Sequence, residues 1–279
     1  MADNWGFFER RTEQEQMRIL VNMGWRQQKR PEGHSELLSA TINLMQLMKE
    51  QKDRRNAVQA LERLESRLEE ALGAALQTVY IGRINTAKRL EFYYYAPPDE
   101  EMEAKQRELR LLFRDDRIVF YSKPDPDWTF YRFLMPSELE EMYIHNAQMV
   151  YALIHKGDHI ERPRQVYHWL MFRQDEDRAE MKQAVEHMGY KVEDGKVPEE
   201  RPEYPYSLVI SRWEDVRLET VNERVGELYK LVDTVDGRYD GWGAVLRLSW
   251  LKRIRLGASR RIGAIQTLRR WLGRSEERS

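Results

Sequence analysis

The chain has no cysteine among its 279 residues. That absence excludes disulfides, thiolate-bound metals, iron–sulfur clusters and cysteine nucleophiles, and it fits a cytoplasmic setting. Long apolar runs are missing too: none approaches the ~18 residues of a membrane-spanning helix. The opening Met1 to Gly6 lacks a basic segment followed by an apolar core, so no signal peptide is expected. The motifs that announce catalysis are also absent. There is no Gly-x-Ser-x-Gly, no His-Glu-x-x-His, no phosphate loop and no dinucleotide fingerprint. The expectation is therefore a protein without catalytic residues, cofactor or metal.

What is present is polar but globular. Apolar residues make up 41% and charged residues 33%, a composition that folds rather than stays disordered. The length suits one large domain or two small ones. The net charge of −1 hides an asymmetry. Residues 247–279 carry ten Lys/Arg against two Glu, a net of +8, and residues 1–246 carry 36 basic against 45 acidic, a net of −9. An acidic body with a basic tail can bind an anion at one end or fold the tail back on itself.

Along the chain, residues 5–10 and 17–22 read as strands, and 37–44 is ambiguous between helix and strand. Val58, Leu61, Leu64, Leu68, Leu72 and Leu76 recur at three- and four-residue steps and predict a helix over 54–76. Residues 77–84 and 89–96 form a hairpin. A helix over 99–113 and a strand over 117–122 follow. Residues 128–134 read as extended, and Ser137 caps a helix over 138–156 that Gly157 ends. Arg162 and Pro163 mark a boundary. Beyond it come strand 167–172, helix 175–188, strand 190–197, strand 207–213, helix 216–235 and strand 241–247. That order, β-α-β-β-α-β, is the ferredoxin-like pattern. If 37–44 is a strand, residues 37–122 repeat it. The predicted class is α+β: two ferredoxin-like α/β sandwich domains in tandem plus a basic amphipathic C-terminal helix. The expected domains are 1–160, 166–246 and the tail 247–279.

Four constellations invite a chemical reading. Asp236-Gly237-Arg238-Tyr239-Asp240-Gly241-Trp242-Gly243 offers Asp236, Tyr239, Asp240 and Trp242 as a partner-binding surface. The favoured alternative is structural: glycines supply positive φ in two turns, and Trp242 packs over the sheet edge. His155 and His159 stand at a helical i,i+4 step, but Gly157 between them breaks the shared face. Asp125 and Asp127 alternate with prolines and read as turn formers. Tyr93, Tyr94 and Tyr95 could stack nucleotides on an open sheet, though core packing is favoured.

The tail carries Leu251, Ile254, Ala258, Ile262, Ile265, Leu268 and Leu272 near one stripe, with arginines mostly off it. Arg253, Arg255, Arg260, Arg261, Arg269 and Arg270 are the candidates for RNA or anionic-membrane contact. Packing of the stripe on the protein's own body is the competing reading.

Two resemblances go further. The strand opening at Tyr167, Met188-Gly189-Tyr190 and Asp236 to Gly243 resemble the regulator of ribonuclease activity B family of bacterial ribonuclease E inhibitors. Val79-Tyr80-Ile81-Gly82-Arg83, Glu91 to Ala96, Asp127-Trp128, Phe130-Tyr131 and His168-Trp169-Leu170 resemble the bacterial domain-of-unknown-function family six-ninety-five. The first implies a non-catalytic regulator that binds an RNA-decay endoribonuclease as its protein partner. The second implies no activity. The alternative from the residues themselves is an RNA- or membrane-surface-binding module acting through the tail.

Overall fold

The computed structural model describes residues 4–13, 15–43, 54–194 and 201–247. The basic tail beyond Arg247, including Arg253, Arg255, Arg260, Arg261, Arg269 and Arg270, lies outside the described residues. The elements are β1 (Trp5–Arg11), β2 (Gln16–Asn22), β3 (Glu36–Asn43), α1 (Arg54–Leu76), β4 (Val79–Asn85), β5 (Arg89–Ala96), α2 (Met102–Leu112), β6 (Val119–Pro124), α3 (Thr129–Leu134), α4 (Glu138–His155), β7 (Arg164–Phe172), α5 (Asp175–His187), β8 (Lys191–Glu193), β9 (Tyr206–Glu214), α6 (Leu218–Asp233) and β10 (Arg238–Ala244). No helix among the described residues is long and apolar enough to cross a membrane. Two compact units divide between Glu140 and Glu141. This lies earlier than the Arg162–Pro163 boundary read from the sequence, because α4 side chains bond within the second unit.

In the first unit the ambiguous segment is strand β3. All six strands are antiparallel, in the order β1-β2-β4-β5-β3-β6. The four strands β4-β5-β3-β6, with α1 and α2, are the ferredoxin-like arrangement, and the β1–β2 hairpin extends it at the β4 edge. Leu64, Leu68, Leu72 and Leu76 of α1 close over Leu38, Ala40, Phe92, Tyr94 and Phe120. Burying each such leucine is worth about 1.5–3 kcal/mol.

The segment 128–134, expected as extended, is instead helix α3. Its Thr, Phe and Tyr content mimics a strand, but the backbone obeys a cap. Asp125 accepts from the Thr129 and Phe130 amides, each at 2.9 Å. Trp128 takes a left-handed conformation (φ 56°) just ahead of the helix. It lies flat on Tyr95, with ring centroids 4.1 Å apart and planes 3° apart. Tyr95 in turn donates to Asp125 at 2.6 Å. Asp125 therefore shapes a turn, as its proline spacing implied.

The second unit has the order β10-β7-β9-β8, again all antiparallel. The helices α5 and α6 cover one face. Val166, Leu170, Phe172, Leu208 and Ile210 are buried from the sheet, and Val185, Val225, Leu228 and Val232 from the helices. Gly157 (φ 76°) ends α4, so His155 and His159 share no face. His155 packs on Tyr151, and His159 pairs with Glu161 at 3.4 Å.

Candidate functional site

The segment 236–243 is one turn followed by a bulged strand, not two turns around an aromatic. Asp236 itself takes the left-handed conformation, with φ 49°. Gly237 serves close packing: a Cβ there would sit 3.0 Å from the Val232 carbonyl and 3.1 Å from the Phe172 ring. Gly241 has φ 131° with nothing within 4 Å of its would-be Cβ, so conformation rather than space demands glycine. It sits where the β10–β7 register shifts, between Tyr239 and Gly241.

That backbone decides where the four proposed contact residues go. Tyr239 and Trp242 are buried, at 3% and 7% exposure, and neither offers its ring to solvent. The Asp240 carboxylate is nearly enclosed and stands 3.4 Å from Arg201. Asp236 points outward, with its side chain 81% exposed and paired to Arg173 at 3.1 Å. The structure thus separates the four residues into an outward Asp236 and an inward remainder.

Two of the inward residues, Tyr239 and Trp242, join buried polar chains. In the first, His168 Nδ1 and the Tyr239 hydroxyl are 2.8 Å apart. His168 Nε2 lies 3.9 Å from Glu214, beyond hydrogen-bond reach. Glu214 accepts from Arg224 Nε at 3.0 Å, and Arg224 donates to Glu227 at 2.8 Å. Burial holds the His168 pKa below its ordinary value, against the pull of Glu214. Burial also lifts Glu214, but its partners His168 and Arg224 outweigh that and hold it low. Tyr190, edge-on to His168, is pushed up to about 12 by burial. A neutral histidine thus sits among phenols, with one carboxylate neutralised by arginine. The ring is enclosed and has no route to a substrate. In the second chain, Trp242 donates to Asn146 Oδ1 at 2.8 Å and Asn146 donates to Asn222 at 2.9 Å.

Tyr93, Tyr94 and Tyr95 are all buried, so they present no stacking surface for RNA. Phe130 covers Tyr93, with ring centroids 4.4 Å apart, and Trp128 covers Tyr95. Among the described residues no group of three or more His, Asp or Glu is placed to hold a metal ion.

Sequence reasoning missed Asn146, Glu214 and Arg224. Glu214 had a signal: it continues the inward alternation of Leu208 and Ile210, where a charge needs a partner. Asn146 had none, because its partners lie far along the chain.

The fold and site together define a two-domain α+β protein whose polar clusters are built into the core. Residues 3–135 match a family of unknown function (DUF695). Residues 143–244 match the family regulator of ribonuclease activity B. The N-terminal domain thus resembles the one family and the C-terminal domain the other. No curated protein matches the chain. Among solved structures it is similar to a protein described as a glycine cleavage system transcriptional repressor. The identity is 9%, the match covers 76% of this chain and 97% of that one, and the TM-score is 0.22.

Proposed function

We propose that the protein restrains an endoribonuclease of the ribonuclease E type by binding it through the C-terminal domain, without catalysis of its own. The observation that carries this reading is the match of residues 143–244 to the ribonuclease-regulator family. The chemistry of the domain supports it. Phe172 of β7 pairs with Tyr206 of β9, and Gly237 lies against the Phe172 ring, so three loops meet at one end. Asp175, Glu176, Glu203, Asp233 and Asp236 are exposed there, two of them paired with arginines of the same end: Asp175 with Arg178 at 2.6 Å and Asp236 with Arg173 at 3.1 Å. Such an acidic end complements the basic groove a nuclease needs for RNA phosphates, so its docking occludes substrate.

Affinity capture tests the reading. Tagged full-length protein is drawn from a bacterial lysate with and without RNA-degrading treatment, and bound proteins are identified by mass spectrometry. Recovery of an endoribonuclease under both conditions is expected. Recovery only while RNA is intact would contradict direct binding.

A further inference from the structure

Among the described residues the two sheets end on the edge strands β1, β6, β8 and β10, and all but β1 are blunted. In β6 the Asp125 amide donates to the Ser35 carbonyl at 2.7 Å, so alternation turns the backbone groups of Phe120, Ser122 and Pro124 outward. Proline has no N–H to offer there, and Arg110 donates to the Phe120 carbonyl at 3.1 Å. The register of β10 is interrupted next to Gly241, and β8 has only three residues. Short strands, bulges and prolines keep a sheet edge from pairing with another chain.

The β1 strand has none of these. Its register against β2 runs unbroken over seven residues, without proline or lysine. The Met23 amide donates to the Asn4 carbonyl at 2.7 Å, and the Thr12 amide to the Glu15 carbonyl at 3.0 Å. Even-numbered residues of β1 therefore bond β2, and the N–H and C=O groups of Trp5, Phe7, Glu9 and Arg11 point away from the sheet. No other described residue bonds these groups. The Phe7 ring is 53% exposed beside them. The charges nearest the strand's centre are already answered within the chain. Glu9 accepts from Gln16 at 2.8 Å and Arg18 at 2.9 Å, and Arg10 pairs with Glu140 at 2.7 Å.

We propose that β1 pairs antiparallel with β1 of a second copy of the chain, about a two-fold axis at Phe7. The strand's own sequence selects both the occupant and the register. Outward groups must meet outward groups, which leaves few symmetric arrangements. An axis at Glu9 opposes two carboxylates directly. An axis at Phe8 sets each Phe7 against a carboxylate and the two Glu9 side chains on a diagonal. An axis at Gly6 joins only Trp5 and Phe7. With the axis at Phe7, the exposed ring meets the same ring of the second copy. Trp5 then stands opposite Glu9, and Gly6, with no side chain, stands opposite Phe8. No like charges are opposed, and three residue pairs exchange about six N–H···O bonds. One patch serves both copies, as a closed two-fold contact requires. The proposal stands apart from the ribonuclease reading, which uses the C-terminal domain.

The test uses the full-length protein, which has no cysteine of its own. Phe7→Cys therefore places one thiol per copy. Opposed Cα atoms of a hydrogen-bonded pair are about 5.5 Å apart, within disulfide reach. Oxidation with copper–phenanthroline is expected to trap Phe7→Cys as a covalent dimer about tenfold faster than Glu9→Cys, whose thiols lie four residues out of register. Sedimentation velocity of the parent over a dilution series should show a reversible species of twice the chain mass. Phe7→Lys should weaken that association about tenfold or more, while Tyr121→Lys on the blunted β6 edge leaves it unchanged. Urea titration checks that each variant is folded. A parent that stays monomeric at every concentration would overturn the proposal. So would a dimer that survives Phe7→Lys, one that Tyr121→Lys dissociates, or equal trapping at positions 7 and 9.

Discussion

The indole N–H of Trp242 donates to the side chain of Asn146 at 2.8 Å, across 96 residues of sequence. Trp242 belongs to the last strand and Asn146 to α4, so the most distinctive residue of the 236–243 segment is spent on tying a helix to the sheet. In Trp242→Ala the whole packed ring is lost, and an unfolding free energy lower by about 3–5 kcal/mol is expected from urea titration. Asn146→Ala leaves the buried indole N–H unsatisfied and should cost about 1–3 kcal/mol. An unchanged unfolding midpoint in Trp242→Ala would show that the ring is not a core element.

Glycine positions should separate by what blocks them. A Cβ at Gly82 would meet the Leu20 carbonyl oxygen at 2.3 Å, and φ is 153°. Backbone of a paired strand cannot yield, so Gly82→Ala should destabilise by about 3 kcal/mol or more. A Cβ at Gly226 would meet the Tyr143 hydroxyl at 2.6 Å, the far end of a side chain. Gly226→Ala should cost only about 1 kcal/mol. Thermal unfolding of the two variants checks the ranking, and equal losses would contradict it.

The buried histidine predicts a pH signature. His168 faces Tyr190, Tyr239, Glu214 and Arg224, and burial keeps its pKa below the ordinary value. Below about pH 6.5 the unfolded chain takes up a proton that the folded chain refuses. Stability should therefore decline as the pH drops from about 6.5 to 5, above the range where Glu214 titrates. His168→Gln should flatten that stretch of the urea-midpoint curve, although it lowers the curve as a whole. An unchanged slope would place the titration elsewhere.

Asp125 predicts a second decline, at lower pH. Burial raises its pKa, but the hydrogen bonds from Tyr95 and the Phe130 and Thr129 amides outweigh it and hold the carboxyl low. Its contribution is complete above about pH 4 and disappears as pH falls through the depressed folded value. Asp125→Asn should remove part of the acid-induced loss of the N-terminal unit's tyrosine and tryptophan signal. Acid unfolding identical to the parent's would refute the cap.

The second β-α-β-β-α-β order was legible outright, and the first once the ambiguous 37–44 is taken as a strand, because periodicity is local: leucine steps in α1, apolar runs in β9 and Gly189 after α5 each act within a few residues. The α3 error has the same root. Thr129 to Leu134 reads as a strand by composition, and only the Asp125 cap and the left-handed Trp128 against Tyr95 reveal a helix. The candidate site was legible in position but not in exposure. Tyr239 and Trp242 look like surface anchors until His168 and Asn146, distant in sequence, are placed against them.

The central claim is that the C-terminal domain restrains a ribonuclease by direct contact at its acidic end, and one assay tests it most directly. Purified full-length protein is titrated into a purified ribonuclease E-type enzyme cleaving a labelled RNA, beside a variant carrying Asp175→Lys, Asp233→Lys and Asp236→Lys. Circular dichroism and urea titration of the variant confirm that it is folded under the assay conditions before inhibition is compared. The account predicts dose-dependent, saturable inhibition by the parent protein and a loss of inhibition of at least tenfold in the variant. Unimpeded cleavage at saturating parent protein would contradict it.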